Sequence, residues 1–340
     1  MDETGKTAKV SRFEWAWCVA FAVLAAVVLG LLGNILRPAH TAYGSTWDAF
    51  LAEPKDSVDV LFLGSSYAYC DWNPGAMYGE SGLTGYVMGG SEQTVGITYY
   101  YLKEALKTQT PSVVVMEGTG LFFQPYQNYT QINVGYMPWG SNKLGAIREF
   151  SERSLRTGLL FDLYFYHDRW KELTAADLKK ALPVRRADDF KGYTPVEGVF
   201  VSETGAPVVS GAIRSEEDYL ANLKTFERIA ALCREEGIDL VVTMNPTYGQ
   251  FSPEIYSRLE QDVLAAGAGR FVNWADAFEK IGLDAAQHLY DGGHLNQEGA
   301  AVFSRFTGQY LRGLGYEPRA QSGENTAAWE GAAAFWQEAE

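Results

Sequence analysis

An uncharged run near the N-terminus constrains the chain more than any other feature of its sequence. Residues 15–36 read WAWCVAFAVLAAVVLGLLGNIL, in which Asn34 is the one strongly polar residue. As a helix these residues would extend about 33 Å, close to the thickness of the hydrocarbon core of a bilayer. Trp15 and Trp17 stand where an interfacial aromatic belt is expected. The sequence therefore predicts one transmembrane helix over residues 15–36, in contact with the lipid bilayer.

The basic residues around this run predict its orientation. Lys6, Lys9 and Arg12 precede the run, whereas Arg37 is the one basic residue that follows it closely. By the positive-inside rule, residues 1–14 would be cytoplasmic and the rest of a single-pass protein would be extracytoplasmic. A cleaved signal peptide is an alternative, although the run is longer than a usual signal core. A buried core helix is a second alternative, disfavoured because the run is apolar on all sides.

The overall composition excludes several classes of function. The 340 residues include 28 Lys and Arg against 42 Asp and Glu, and the net charge of −14 repels phosphate backbones, so nucleic-acid binding is not expected. Cys18, Cys70 and Cys233 form no C-x-x-C pair, which excludes a cysteine zinc site and a dense disulfide framework, while one Cys70–Cys233 bridge remains open. The glycine-rich stretches lack nucleotide-binding spacing, so neither a cofactor nor a metal is predicted.

The rest of the chain alternates between apolar strand-like runs and amphipathic helical patterns. Strands are predicted at residues 58–64, 85–88, 112–118, 238–245 and 269–274. Helices are predicted at residues 92–108, 216–236, 253–266 and 297–311. This alternation predicts an α/β fold, in which a mostly parallel five-stranded sheet carries helices on both faces in three α/β/α layers. The α/β domain would cover residues 56–315, after a linker at residues 37–55.

Two segments break this alternation. Residues 122–214 are rich in aromatic side chains and are interpreted as an insertion that caps the strand ends, with ordered parts. Residues 316–340 hold five glutamates and one arginine and are interpreted as a mobile acidic tail, with at most one short helix.

Two short motifs follow the first and the last predicted strands. Gly64-Ser65-Ser66 comes directly after the first strand, where an α/β sheet binds its ligands. Asp291-Gly-Gly-His294 precedes the last helix. A neutral imidazole can take a proton from a serine hydroxyl when a carboxylate holds its other ring nitrogen as a donor. Alone, the Asp-x-x-His spacing could equally be a loop cap or half of a metal site, but its chain order with the serine favours a catalytic site.

These motifs resemble those of the SGNH (GDSL-type) hydrolase superfamily. The segment DVLFLGSSYAY resembles its first block, with Ser66 in the nucleophile position and Ser65 where that family has Asp, and YDGGH resembles its last block. The resemblance implies a triad of Ser66, His294 and Asp291. It also implies an oxyanion hole formed by the N–H groups of Ser66 and of Gly89, which lies in the second-block segment YVMGGSEQT.

The third block departs from the family's pattern. The family has an asparagine where this chain has Gly120, so a third oxyanion donor must come from elsewhere. Loss of one such donor can cost about 10²–10³ in rate. Asn245, at the end of the fourth strand, is the favoured substitute, and Thr119 or a residue of the insertion are alternatives. Gly90 is the alternative to Gly89.

The anchor and the motifs together resemble membrane-tethered bacterial proteins that modify cell-envelope polymers. The resemblance implies a serine esterase or O-acyltransferase that acts on acyl esters of an envelope glycan and receives acyl groups from a membrane protein. Glu117, His167 and Arg169 are further substrate-binding candidates, although capping and local salt bridges explain them equally or better. A non-catalytic glycan-binding module and a scaffold of an envelope complex remain alternative functions.

Overall fold

We describe the fold from a computed structural model of the chain. The structure describes residues 12–36, 43–44, 47–161, 163–164, 167–179, 187, 189–200 and 207–338. The chain divides into two compact units: Met1–Ala39 together with Leu160–Val184, and His40–Leu159 together with Arg185–Glu340. Most of the predicted cytoplasmic segment (residues 1–14) and much of the predicted linker (residues 37–55) lie outside the described residues.

The first unit contains one long apolar helix, α1, at Arg12–Leu36. Its span Phe13–Leu36 has a mean hydropathy of 2.6 and is 6% buried. Its length and composition suit a membrane span, and a signal sequence would meet the same criteria. The exposure of its apolar side chains is incompatible with the alternative of a buried core helix.

The residues Leu160–Val184 cluster with α1 and not with the α/β body. They include a 3₁₀ helix at His167–Lys171 and a short helix at Ala175–Lys179. Within this unit, the side chain of Arg169 donates to the main-chain carbonyl of Leu36 at 2.6 Å. The interpretation of residues 122–214 as a cap over the strand ends stays a prediction.

The second unit is built on a five-stranded parallel sheet. The strands of the chain are β1 Val60–Gly64, β2 Gly85–Gly89, β3 Val113–Glu117, β4 Val208–Ser210, β5 Asp239–Met244, β6 Gly249–Phe251 and β7 Arg270–Asn273. The order in the main sheet is β2-β1-β3-β5-β7, while β4 and β6 form a separate parallel pair. β1, β2 and β3 are buried along their whole length, as parallel strands with covered faces require. All five predicted strands are therefore confirmed, and the β4–β6 pair was not predicted.

The strand order creates a crevice beside β1. The chain leaves β1 for β2 on one side and then returns for β3 on the other, with Val60 in register with both Gly85 and Val113. In open α/β sheets, ligands bind beyond the carboxyl ends of the strands at such a reversal. The residues that follow β1 and β3 are therefore placed at the expected ligand site.

The helices connect these strands and end where the sequence provides caps. Those of the second unit are α2 Trp47–Phe50, α3 Ser66–Tyr69, α4 Pro74–Ser81, α5 Val95–Ala105, α6 Thr130–Gly135, α7 Ser141–Phe150, α8 Arg156–Leu159, α10 Glu216–Glu236, α11 Pro253–Ala265, α12 Phe278–Ile281, α13 Ala285–His288, α14 Gln297–Gly313 and α15 Gly323–Glu338, and α9 is Ala175–Lys179 of the first unit. The side chain of Asn296 accepts from the N–H of Gly299 and thereby begins α14. Gly237 ends α10 in the left-handed conformation.

The C-terminal residues are a packed helix, and the prediction of a mobile tail is wrong. Helix α15 packs against α4, with Trp329 and Trp336 buried. The Trp336 indole N–H donates to the carbonyl of Asp189 at 3.0 Å. The Nζ atom of Lys191 lies 4.7 Å from the ring centroid of Trp329 and also pairs with the buried Glu53 at 2.8 Å. Burial of the two indole rings stabilises the docked helix.

Candidate active site

The turn after β1 presents two consecutive serines in different environments. Gly64 ends β1 with φ +149°, and a Cβ there would lie 2.9 Å from the Cβ of Glu117, so glycine is required at this close approach. Ser65 is fully buried and its hydroxyl faces Glu117 at 3.5 Å. Ser66 begins α3 and is partly exposed. Of the two hydroxyls, that of Ser66 is therefore the one open to a substrate.

A continuous chain of hydrogen bonds joins Ser66 to His294 and Asp291. The Ser66 Oγ atom lies 2.8 Å from His294 Nε2. On the other side of the ring, Nδ1 lies 2.9 Å from Asp291 Oδ2 and 3.0 Å from Oδ1. These are hydrogen-bond distances at both ring nitrogens. The structure thus brings together the three side chains that the two motifs singled out, across 228 positions of the chain.

The loop that carries Asp291 and His294 is fixed by its own carboxylate. Asp291 Oδ1 accepts from the main-chain N–H groups of Gly293 at 2.7 Å and His294 at 2.8 Å. The N–H of Tyr290 donates to the carbonyl of His294 at 2.8 Å, which closes the turn. Burial by itself would raise the pKa of Asp291, but the hydrogen bond and charge of His294, with the two N–H donors, outweigh it and lower the pKa to about 2. The carboxylate is therefore ionised wherever the protein is folded at ordinary pH.

Tyr67 supports the imidazole from its face, a contact that was not predicted. Its ring stacks on that of His294, with centroids 4.8 Å apart and an interplanar angle of 24°. A Cβ at Gly293 would lie 2.7 Å from the Tyr67 Oη atom, so the second glycine of the loop makes room for this ring. Burial raises the pKa of Tyr67, which keeps the phenol neutral. No pattern in the sequence indicates this contact, because Tyr67 and Gly293 are distant in the chain.

Asp71 and Asn245 connect the serine turn to the histidine loop beneath the triad. Asp71 Oδ1 accepts from the N–H of Leu295 at 3.0 Å, and Oδ2 accepts from the Asn245 amide at 3.2 Å. The same amide donates to the carbonyl of Tyr67 at 2.8 Å, and its oxygen accepts from Thr243 at 3.0 Å. Asp71 is fully buried, and burial raises its pKa well above the usual range.

These contacts correct the sequence-based prediction for Asn245. Both hydrogens of its amide are donated to Tyr67 and Asp71, so the side chain does not supply an oxyanion donor in this structure. Sequence reasoning placed Asn245 correctly at the end of β5 but could not give the direction of its side chain.

The two glycines after β2 have different roles in the packing. The N–H of Gly90 donates to the carbonyl of Gly64 at 3.3 Å, which disfavours Gly90 as an oxyanion donor. A Cβ at Gly89 would lie 3.0 Å from the carbonyl oxygen of Ser65 and 3.2 Å from the Cβ of Ala68. The backbone of Gly89 therefore lies close to the serine turn, and a side chain at this position would require its neighbours to shift by a few tenths of an ångström. Its role as an oxyanion donor stays a prediction.

Glu117 is buried at the carboxyl end of β3. Its Oε1 atom accepts from the main-chain N–H of Thr119 at 2.8 Å and forms a very short hydrogen bond with the Thr119 hydroxyl. Burial raises its pKa to about 7, against the opposing effect of hydrogen bonds from Thr119 and Ser65. These contacts explain Glu117 as a buried group beside the serine turn, and its role in substrate binding stays a prediction.

His167 and Arg169 belong to the first unit, with α1, and not to the α/β body that holds the triad. The ring of His167 is exposed and its Nδ1 atom lies 2.7 Å from the carbonyl of Tyr164. Arg169 is engaged with Leu36 and with Asp177, the latter at 3.5 Å. Their predicted contact with substrate therefore has no support from the side-chain contacts.

Within the described ranges, no cluster of three or more His, Cys, Asp or Glu side chains has the arrangement of a metal site. Cys70 and Cys233 are separate buried free thiols, which answers the open question of a bridge between them.

In comparisons with known proteins, no family model matches the chain, and no curated protein matches it. The resemblance to SGNH hydrolases therefore stays a prediction based on short motifs.

Proposed function

We propose that this chain is a serine esterase or O-acyltransferase that works through Ser66, His294 and Asp291. The observation that carries the proposal is the hydrogen-bond chain from the Ser66 hydroxyl through both nitrogens of His294 to Asp291. The site has a partly exposed hydroxyl, a base within reach of its proton and a carboxylate that fixes the ring. These are the parts that acyl transfer requires.

The proposed reaction begins with attack on an ester carbonyl. His294 Nε2 takes the proton as Ser66 Oγ bonds to the carbonyl carbon, and the electron pair of the C=O bond moves to its oxygen. The tetrahedral intermediate collapses with cleavage of the ester C–O bond, and the protonated His294 gives its proton to the leaving alkoxide. Asp291 stabilises the imidazolium throughout. Water or a second hydroxyl then attacks the acyl-Ser66 ester by the same steps in reverse.

The oxyanion of this intermediate would lie at the start of α3. The first N–H groups of a helix have no partner within that helix, and the N–H of Ser66 is the first in α3. Gly89 is the second proposed donor, a role that rests on the resemblance of the segment YVMGGSEQT to the family's second block. With Asn245 engaged elsewhere, these two main-chain groups would stabilise the developing charge.

The proposed setting of the reaction is the outer face of a bacterial membrane. The support is the span Phe13–Leu36, which has the length and hydropathy of a transmembrane helix. The basic residues that indicate a cytoplasmic N-terminus include Lys6 and Lys9, which lie outside the described residues. A three-layer SGNH-type arrangement is the fold we propose, supported by the parallel order β2-β1-β3-β5-β7. An envelope glycan ester as substrate, and a membrane protein as acyl donor, follow from the motif resemblance alone.

A second function is favoured by one observation. The position after β3 where the resembled family has an asparagine is Gly120, and the Asn245 amide does not replace it. A site with fewer oxyanion donors could bind an acylated glycan, or act as a scaffold in an envelope complex, with little turnover.

Labelling with a fluorophosphonate probe tests the proposal. Such probes phosphonylate a serine only when its hydroxyl is activated by a neighbouring base. We expect the full-length chain in detergent to be labelled, Ser66→Ala to lose the label completely, and Ser65→Ala to keep it because Ser65 is buried. Thermal melting of each variant reports whether the fold is retained.

The outcomes separate the two functions. Labelling that requires Ser66 but not Ser65 supports the enzyme. An unlabelled wild-type protein that melts cooperatively, or equal labelling of Ser66→Ala, would exclude it and leave the binding or scaffold function.

A further inference from the structure

The second segment of the first unit, Leu160–Val184, has four large apolar side chains that are exposed to solvent. Phe161, Tyr164, Trp170 and Leu178 are 66%, 68%, 64% and 59% exposed. They fall within an 18-residue stretch that also contains the exposed charged residues Asp168 and Lys171. A concentration of exposed apolar side chains in one stretch of the chain, beside charged residues, is typical of a segment that contacts a membrane or a protein.

This stretch is attached to the end of the apolar helix. The last carbonyls of a helix lack partners within it, and the Arg169 guanidinium donates to that of Leu36, the last residue of α1. Arg169 also pairs with Asp177, which is itself nearly buried. Asp177 in turn accepts from the N–H and the hydroxyl of Thr174, at 3.0 and 2.8 Å. The contacts therefore hold the 3₁₀ helix His167–Lys171 and helix α9 against the C-terminal end of α1.

The position of this attachment determines the environment of the stretch. If α1 crosses a bilayer over Phe13–Leu36, its final residue lies at the boundary between hydrocarbon and headgroups. Side chains held beside Leu36 then lie at headgroup depth. Tryptophan and tyrosine are enriched at this depth because their rings are amphipathic. Trp15 and Trp17 occupy the opposite end of the same helix.

We infer that the Phe161–Leu178 stretch is a second membrane contact, which lies in the headgroup region with Phe161, Tyr164, Trp170 and Leu178 immersed in lipid. The inference rests on the proposed anchoring by α1. It assigns Arg169 a role in setting the depth of this surface, in place of the predicted role in substrate binding. A protein partner would cover the apolar side chains equally well, but the attachment to the membrane end of α1 favours lipid.

Site-directed spin labelling of the full-length chain measures this depth. The protein is reconstituted in phosphatidylcholine–phosphatidylglycerol nanodiscs in a Cys18→Ser background, where Cys70 and Cys233 are buried. Nitroxides are introduced at Trp170→Cys, at the matched exposed control Glu172→Cys, and at Leu24→Cys in the middle of α1. Collision rates with oxygen, which concentrates in lipid, and with a water-soluble nickel chelate are then compared.

The expected result is a graded ratio of oxygen to nickel accessibility. We expect the highest ratio at position 24, a ratio at position 170 several times that at position 172, and an aqueous value at position 172. Replacement of Arg169 by Gln should lower the ratio at position 170 and leave that at position 24 unchanged.

Three outcomes would overturn the inference or its basis. An aqueous ratio at position 170 with an immersed position 24 leaves the anchor intact and excludes the surface contact. A position 170 shielded from both reagents indicates a protein contact, whether with a second copy or another partner. An aqueous ratio at position 24 means that the anchor itself is wrong.

Discussion

Two groups of polar side chains lie at the same edge of the sheet and differ in how their hydrogen bonds are used. In the triad of Ser66, His294 and Asp291, the bonds run in series and end on a partly exposed hydroxyl. In the group below it, which we call the buried polar cluster and define as Asp71, Glu117, Thr243 and Asn245, the side chains are bonded to other protein groups. A polar chain with an open end can act on a substrate, whereas a closed network mainly fixes the positions of the backbones that it joins.

This difference leads to separate expectations for the two groups. Changes in the triad should reduce the rate of ester cleavage and leave the fold intact, because its members are partly exposed. Changes in the buried polar cluster should alter stability more than rate, since each leaves a buried group without its partner.

The largest effect is expected for Asp291→Asn. The Asn Oδ1 atom can still accept from Gly293 and His294, so the loop should keep its shape. Its amide nitrogen, however, would donate to His294 Nδ1 and force the proton onto Nε2, which then cannot accept from Ser66. We expect kcat for hydrolysis of a chromogenic acetate ester to fall by about 10⁴-fold, while a cooperative melting transition shows that the fold is retained.

The matched control is Asp276→Asn, at an exposed carboxylate outside the triad. It should retain the wild-type rate. For Asp291→Asn, a loss of less than about tenfold in kcat would be smaller than the usual contribution of general acid–base catalysis. It would mean that His294 does not depend on this carboxylate and that the three residues do not act as a catalytic triad.

The next effect concerns the pH dependence of stability through Glu117. Its pKa is about 7 in the folded chain, against an ordinary value of 4.5, because of burial. Between these two pH values the folded chain binds more protons than the unfolded chain, so the contribution of Glu117 to the free energy of unfolding falls as pH rises. Across this pH range, the contribution of Glu117 to the free energy of unfolding falls by about 3 kcal/mol.

Glu117→Gln should remove this contribution. Relative to wild type, the variant should gain about 3 kcal/mol in the free energy of unfolding between pH 4 and pH 8, measured by denaturant titration in detergent. Glu279→Gln, at an exposed carboxylate, is the control. Parallel stability curves for Glu117→Gln and wild type would show that Glu117 does not hold a proton in the folded chain.

The main sheet and the proximity of Ser66, His294 and Asp291 could be predicted from the sequence, for physical reasons that are visible in the structure. The five strands are short apolar runs that end at glycine or polar residues. Such runs are typical of buried parallel strands, so the sequence pattern indicates them directly. Ser66 follows strand β1, and His294 precedes helix α14. Both residues therefore lie in connections between elements, which run over the surface of a protein. The spacing of Asp291 and His294 fits one turn closed by the carboxylate itself.

Features that depend on tertiary contacts were not predictable in the same way. The direction of the Asn245 amide is set by Tyr67 and Asp71, which are distant in sequence. The acidic residues of helix α15 are visible in the sequence and indicate a tail, whereas the tertiary contacts that bury Trp329 and Trp336 are not visible there. The strands β4 and β6 have three residues each and are at least partly exposed. The sequence therefore has no apolar run at these positions that would predict a strand.

The smallest effect is expected for Thr243→Val, which changes the buried polar cluster by one hydroxyl. Thr243 Oγ1 donates to Asn245 Oδ1 at 3.0 Å and is fully buried, so the isosteric valine removes that bond and leaves the amide oxygen without this donor. We expect a loss of about 1–2 kcal/mol in the free energy of unfolding and a change in kcat/KM of less than about threefold, equivalent to under 1 kcal/mol. Thr243→Ser keeps the hydroxyl and should restore the bond. If the rate instead falls by more than about 100-fold while stability changes little, the cluster takes part in the reaction through the Tyr67 carbonyl, and the distinction between the two groups does not hold.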